Sequence, residues 1–91
     1  MAYFVLTYDV RAKNHDYKPL YDLMNTWRAA HLQDSIWLAE LNGTAKSIRE
    51  TMRAHMHSDD TVCVIQVFHN SGWATWNARK TGVDWLSSHM S

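Results

Sequence analysis

The chain alternates segments that have β-strand periodicity with segments that have α-helix periodicity, and this alternation limits the folds open to it. Residues 3–9, 32–41 and 61–68 are rich in aromatic and β-branched residues, which favours strands. Between them, residues 16–30 and 44–57 carry apolar residues at the spacing of a buried helix face. The predicted order is therefore strand, helix, strand or hairpin, helix, strand.

Local signals set the expected ends of the first helix and the shape of the second strand-like run. Asp16 is a candidate N-terminal cap, and Pro19 falls in the first turn, where its missing N–H costs little. The polar pair Asp34-Ser35 interrupts the second run, which predicts either a bulge or a hairpin of two short strands. The apolar stripe of the first helix comprises Leu20, Leu23, Met24, Trp27 and Ala30.

The second helix and the strand after it have clearer signals. Thr44 is a candidate N-terminal cap, and Ser47 with Glu50 matches a capping box one turn later. The pair Asp59-Asp60 ends the helix, and we interpret it as a turn held by Asx hydrogen bonds. The following run, TVCVIQVF, is the clearest strand of the chain, and its single cysteine is expected to be a small buried apolar residue.

This order of elements predicts an α+β fold of the ferredoxin-like type, a β-α-β-β-α-β sheet with both helices on one face. We expect residues 1–91 to form one domain. Residues 73–91 have no clear periodicity, and a short strand, a helix or both are open for them. Because two helices on one face leave the other face of the sheet uncovered, we expect a second protomer to cover it.

Charge and composition exclude several classes of protein. Nine Lys and Arg balance nine Asp and Glu, which argues against a polycationic nucleic-acid binder, although a local basic patch stays open. Cys63 is the only cysteine, which excludes a disulfide-stapled domain and a cysteine-rich zinc site. No apolar stretch reaches the ~20 residues of a membrane span, and no signal peptide is recognisable. We therefore expect a cytoplasmic protein without a membrane partner.

Five tryptophans are many for so small an interior. We expect Trp27 to lie in the core between helix and sheet and Trp37 to lie on the central sheet. Tryptophan is enriched at the centres of protein interfaces. Trp37, Trp73, Trp76 and Trp85 are accordingly the predicted contacts of a homodimer, and residues 73–91 are predicted to be a dimerisation segment or a tail.

Three short motifs occur in an order that resembles a known family. The first strand ends in Tyr8-Asp9, a polar-apolar strand follows the first helix, and an Asp-Asp pair precedes the last strand. In this order they resemble the small CRISPR-associated protein 2 family and its SinR-like and VapD-like relatives, over roughly residues 1–68. The residues that carry the resemblance are Tyr8, Asp9, Gln33, Ser35, Ile36, Trp37, Asp59 and Asp60.

The resemblance implies a ferredoxin-like homodimer in which the sheets of two protomers face each other and the C-terminal strand often pairs with the other protomer. It also implies that Asp9 lies near the two-fold axis, where the two copies hold Mg²⁺ or Mn²⁺. Some members hydrolyse RNA or DNA, and others serve as a non-catalytic platform in spacer integration.

The chain departs from the family at several positions. The basic pair that usually follows the aspartate of the first strand is missing, and only Arg11, Lys13 and Lys18 lie nearby. His31 replaces a basic residue, Trp37 replaces the usual phenylalanine, and the tryptophan-rich tail differs from the usual short strand. These changes leave the expected fold intact and weaken the inference of nuclease activity.

The candidate catalytic residues are Asp9, Tyr8 and His31, with Arg28 beside them. Two facing copies of Asp9 with water suit a hard divalent cation, and the alternative is a strand-end aspartate that bonds the next loop. His31 has the side chain of a general acid or base at neutral pH, and the alternative is a histidine that bonds backbone.

The predicted contacts to nucleic acid are cationic, because phosphate binding scales with cationic contacts. Aromatic and cationic residues together also stack bases, which points to the tryptophan-rich tail. Two hypotheses follow: a metal-dependent endonuclease acting on RNA or DNA, and a catalytically inert dimeric platform that binds nucleic acid or protein. The predicted nucleic-acid contacts are Arg11, Lys13, Arg28, Arg79 and Lys80.

Overall fold

The first strand-like run forms one of the two inner strands of an antiparallel sheet. A computed structural model describes residues 1–90. The sheet has four strands in the order β2-β3-β1-β4, and three helices accompany it, so the α+β prediction is confirmed. The elements are β1 (Ala2–Asp9), α1 (Lys18–Thr26), β2 (Ala30–Gln33), β3 (Ile36–Leu41), α2 (Ala45–Arg53), β4 (Thr61–Val67) and α3 (Lys80–His89).

Alternation along β1 divides the sheet into two faces. Phe4, Leu6 and Tyr8 point to the face covered by α1 and α2 and are buried. We call this the helix-side face. Apolar residues of both helices fill the core above it, in agreement with the predicted stripes, and they include Leu20, Met24, Ile48 and Met52.

The polar pair Asp34-Ser35 is the turn of a hairpin between β2 and β3. His31 pairs with Trp37 and Gln33 pairs with Ile36, so the register shifts by one residue between the two pairs. Of the two alternatives for this run, the structure therefore has the hairpin, with an irregularity next to the turn.

The first helix ends earlier than its apolar stripe predicted. The Met24 carbonyl accepts a hydrogen bond from the Ala29 N–H at 2.9 Å, and Arg28 takes the left-handed conformation with φ 55°. This is a Schellman termination, which satisfies the last carbonyls of the helix. The chain then turns, and Ala30 begins β2 and does not continue the helix.

The capping box of the second helix lies one turn before the predicted one. Thr44 and Ser47 satisfy each other reciprocally, because the Thr44 hydroxyl accepts from the Ser47 N–H and the Ser47 hydroxyl accepts from the Thr44 N–H. Glu50 instead pairs with the guanidinium groups of Arg49 and Arg53. The helix ends at Arg53, four residues before the predicted end at residue 57.

The open question about residues 73–91 is answered as far as residue 90 by α3, which packs on the second face of the sheet, and residue 91 lies outside the described residues. Trp85, Leu86 and Met90 form a small core there with Leu38 of β3. The indole N–H of Trp73 donates to the Met90 carbonyl at 2.7 Å. This bond holds the segment before α3 against the end of the helix. The chain thus covers part of this face itself, where we expected only a second protomer.

Helix α3 reaches Val5 and Val67, which pack against its core, and leaves the rest of the β1–β4 half of the second face uncovered. Thr7 pairs with Cys63 and Val5 pairs with Ile65, so these four side chains point away from α1 and α2. We call this area the open half-face. Ile65 is 50% exposed and Cys63 is exposed, so the prediction that the cysteine is buried is wrong for the single chain. Within residues 1–90, no helix is long and apolar enough to cross a membrane.

Candidate functional site

Asp9 lies at the end of β1 on the same side as the open half-face. It pairs with Thr61 in the register of β1 and β4, two positions along from Thr7. The residue is exposed, and across residues 1–90 its carboxylate takes part in no ion pair. The carboxylate is therefore free to bind a ligand at the margin of the sheet.

Tyr8 precedes Asp9 and points to the opposite face. Its side chain is only 4% exposed, and its hydroxyl accepts a hydrogen bond from the Trp37 indole N–H at 3.0 Å. Burial raises the pKa of Tyr8 to about 12 from 10.0. Because a strand turns successive side chains to opposite sides, the structure does not bring Tyr8 together with Asp9.

His31 also lies on the helix-side face. Its ring stacks on that of Trp37 with centroids 4.0 Å apart and planes 5° apart, and its Nε2 lies 3.0 Å from the Asp34 carbonyl oxygen. Trp37 pairs with Leu6, whose side chain is in the core beneath α1 and α2. His31 is therefore the histidine that bonds backbone, which was the alternative to a general acid or base. Within one protomer its ring does not face Asp9.

Arg28 lies at the other end of the sheet from Asp9. It lines an open depression of about 520 Å³ together with Met1, Glu40 and His89, next to the start of β1. The eight residues of β1 span about 23 Å at ~3.3 Å per residue, and Asp9 is at the far end. Arg28 therefore does not flank Asp9, and the four side chains expected to form one catalytic group are separated.

Arg11 and Lys13 follow Asp9 in an exposed loop that is fastened by Asp60. The Asp60 carboxylate accepts from the Arg11 N–H at 2.7 Å, from the Tyr17 hydroxyl at 2.7 Å and from the His57 N–H at 2.9 Å. Partial burial favours the neutral acid, but these donors outweigh it, and the pKa of Asp60 is lowered. The predicted turn is present, because the Asp60 N–H donates to the His57 carbonyl at 3.0 Å. Its side-chain bond comes from an N–H three residues before Asp60 and not two residues after it, so it is not the Asx bond that was predicted.

The bonds from Asp60 to the loop were not predicted from the sequence, because 49 residues separate Asp60 from Arg11. They position the loop that carries Arg11 and Lys13 beside the end of β1. Two of the predicted nucleic-acid contacts are thus held near Asp9, and their side chains are exposed.

Arg79 and Lys80 lie at the start of α3 and are engaged in ion pairs. The guanidinium of Arg79 contacts the Asp34 carboxylate at 2.7 Å, and Lys80 contacts Asp84 at 2.6 Å. Each cation is offset by a carboxylate, so this pair contributes little net positive potential. The four partners are exposed, and such surface pairs exchange readily with other ligands.

The four tryptophans predicted at a dimer interface fall into two groups. Trp37 and Trp85 are each 8% exposed and are covered within the single chain. Trp73 is 38% exposed and Trp76 is 88% exposed, so only these two retain surface for a partner. Trp27, predicted in the core, packs against it while partly buried.

Asp9 supplies one carboxylate per chain to any divalent cation. Among the described residues, no group of three or more His, Cys, Asp or Glu side chains is placed to hold a metal ion. The nearby carboxylate of Asp60 is already occupied by three donors. The residues present fit a hard cation only if a second copy brings its own Asp9 to the same point.

No protein-family model matches this chain, and no solved structure matches it.

Proposed function

We propose that this chain forms a ferredoxin-like homodimer of the CRISPR-associated protein 2 type that acts as a metal-dependent endonuclease in the cytoplasm. The observation that carries the proposal is the free, exposed carboxylate of Asp9 at the margin of the open half-face. The strand order β2-β3-β1-β4, with α1 and α2 on one face, supports the ferredoxin-like assignment. The lone Cys63 agrees with a reducing compartment.

The dimer forms through the open half-face. Val5, Thr7, Cys63 and Ile65 are small or apolar, and none of them carries a charge that a partner would have to desolvate. A two-fold axis beside the end of β1 makes the contact isologous and places the two copies of Asp9 together. Without a cation between them, two such carboxylates repel each other.

Asp9 and its cationic neighbours bind different parts of the proposed complex, the metal ion and the phosphates. The two copies of Asp9 would hold Mg²⁺ or Mn²⁺, and such an ion supplies a polarised phosphate oxygen and an activated water. Arg11 and Lys13, which Asp60 holds in place, contact the phosphates on either side. These few cations suit a short substrate, in keeping with a net charge of zero.

The dimer is tested by sedimentation of two variants that alter neighbouring residues of β4. Ile65→Lys puts a charge on the open half-face, while Gln66→Lys puts the same charge on the opposite side of the same strand. We expect wild type and Gln66→Lys to sediment as dimers and Ile65→Lys as a monomer. Dimers in all three would show that the interface lies elsewhere.

The metal-dependent activity is tested by incubating short RNA and DNA with Mn²⁺ or with chelator. Asp9→Ala is compared with Asp59→Ala, which removes an exposed carboxylate at the same end of the sheet. We expect cleavage by wild type and Asp59→Ala, and at least tenfold slower cleavage by Asp9→Ala. In calorimetric titration with Mn²⁺, equal heats from wild type and Asp9→Ala would end the metal proposal.

The second candidate function is a catalytically inert dimeric platform that binds nucleic acid or protein. It is favoured by the position of Tyr8 and His31, which point away from Asp9 and are engaged in other contacts. A stable dimer that binds Mn²⁺ but leaves RNA and DNA intact under all conditions would support this second function.

A further inference from the structure

The chain covers one edge of its sheet and leaves the other open. At the β2 edge, the Arg79 N–H donates to the Leu32 carbonyl at 2.9 Å, and the Thr81 hydroxyl donates to the His31 carbonyl at 2.9 Å. At the other edge, β4 pairs with β1 alone within residues 1–90. An open strand edge presents unpaired N–H and C=O groups that accept another strand.

The sequence of β4 lacks the features that usually prevent such pairing. Edge strands are commonly protected by charged side chains, by proline or by a bulge. Thr61–Val67 has no charged residue and no proline, and its register with β1 runs without a shift from Tyr3–Val67 to Asp9–Thr61. At ~3.3 Å per residue it offers about 20 Å of strand for pairing.

Two depressions lie side by side in the groove between β4 and α2. One, of about 410 Å³, is lined by Lys46, Arg49 and Val64, and the other, of about 200 Å³, is lined by Arg53 and Val62. Val62 and Val64 are about 6.6 Å apart along the strand, and Arg49 and Arg53 are about 6 Å apart along the helix. The spacing matches alternate side chains of one added strand.

The cations of α2 decide which side chains fit these depressions. Lys46, Arg49 and Arg53 face the groove, and Glu50, which pairs with both arginines, offsets one of the three positive charges. The Asp60 carboxylate at the second depression stays ionised, because its three donors are neutral N–H and O–H groups and its pKa is lowered. Its charge offsets a second of the three cations, so the depression lined by Lys46 and Arg49 is the one that favours a carboxylate.

We propose that the β4 edge binds an extended acidic segment of another protein as a fifth strand. Backbone hydrogen bonds to β4 provide the pairing, and an acidic side chain of the segment contacts Lys46 and Arg49. The side chain two positions along lies in the depression beside Val62 and Arg53. This binding mode does not depend on Asp9 or on the proposed nuclease activity.

The probe is a fluorescent eight-residue peptide that alternates Glu and Val, with a Lys and Val peptide as its counterpart. We expect anisotropy to show binding of the acidic peptide at least tenfold tighter than binding of the basic one. Amide exchange should slow at residues 61–67 when the acidic peptide binds. The double variant Lys46→Gln, Arg49→Gln should weaken binding at least tenfold, while Lys18→Gln on α1 should leave it unchanged.

Circular dichroism of the double variant establishes that α2 is intact, and Asp9→Ala should bind the peptide like wild type. Equal binding by wild type and the double variant, or slowed exchange outside residues 61–67, would overturn the proposal. So would binding of the acidic peptide that weakens as the protein concentration rises, because a second copy would then compete with the peptide for the edge.

Discussion

The indole N–H of Trp37 donates to the hydroxyl of Tyr8 at 3.0 Å inside the core, where each side chain is less than 10% exposed. Tyr8→Phe removes the acceptor and leaves a buried N–H unpaired, which costs about 1–3 kcal/mol of unfolding free energy. Urea titration measures the loss. Tyr3→Phe is the control, since the Tyr3 ring packs edge-on against Trp85 and should keep this contact, with a change below about 0.5 kcal/mol.

The same tyrosine makes the stability of the protein depend on alkaline pH. Burial raises the pKa of Tyr8 to about 12, whereas in the unfolded chain it ionises near 10.0. Between these values the unfolded state releases the proton first, so the Tyr8 contribution is complete below pH 10 and is lost as pH rises toward 12. The slope is about 1.4 kcal/mol per pH unit. Tyr8→Phe should not show this loss of unfolding free energy between pH 10 and pH 12. An equal loss in wild type and Tyr8→Phe would contradict the role of Tyr8.

Gly82 lets α3 lie close against β2. A Cβ atom at this position would be 2.6 Å from Leu32 Cα and 2.8 Å from Leu32 Cβ. Gly82→Ala should therefore shift α3 and destabilise the protein by about 1–3 kcal/mol, despite the better helix propensity of alanine. Gly72→Ala is the control, because no atom lies within 4 Å of its Cβ position. Equal melting temperatures for the two variants would contradict this contact.

Arg28 ends α1 in a conformation that glycine adopts more easily. With φ at 55°, its Cβ is strained, and Arg28→Gly should raise the unfolding free energy by about 0.5–1 kcal/mol. Asn25→Gly, inside the last turn of the same helix, should lower it by about 0.5–1 kcal/mol. A loss of stability in Arg28→Gly would contradict the strain at this position.

Asp60 holds the loop of residues 10–17 through bonds to Arg11 and Tyr17. Asp60→Asn should cost about 1–3 kcal/mol and speed amide exchange at Arg11, whereas Asp59→Asn should change little. Because the folded-state pKa of Asp60 is lowered, its contribution is complete above its ordinary pKa near 3.8 and is lost as pH falls through the lower folded value. If wild type and Asp60→Asn lose the same unfolding free energy as the pH falls, this role of Asp60 would be contradicted.

The strands and helices were largely predictable, because hydrophobic periodicity is a local property. The strand alternation of residues 3–9 and the apolar stripes of the two helices appear in the structure with ends shifted by a few residues. The shifts at the helix ends come from turn and cap geometry that hydrophobic periodicity does not contain. The first helix ends in the left-handed turn at Arg28, and the second begins with the reciprocal cap of Thr44 and Ser47.

The candidate site was less predictable than the fold. The sequence identified Asp9, Tyr8 and His31 as candidates, but the side of the sheet on which His31 lies follows from strand register, which the motif does not contain. Neighbours in sequence on a strand face opposite ways, so a Tyr-Asp pair cannot act at one point within a protomer. The role of Asp60 depends on contacts 43 and 49 residues away.

By itself, the sequence determined the α+β class, the alternation of strand and helix segments up to residue 68 and the absence of a disulfide framework, because these depend on side-chain periodicity and composition. Only the tertiary structure decided that α3 covers half of the second face, that Tyr8 and His31 turn away from Asp9, and that the β4 edge stays open. Each of these depends on which segments meet in space, and that is settled by packing and register between residues far apart in the chain.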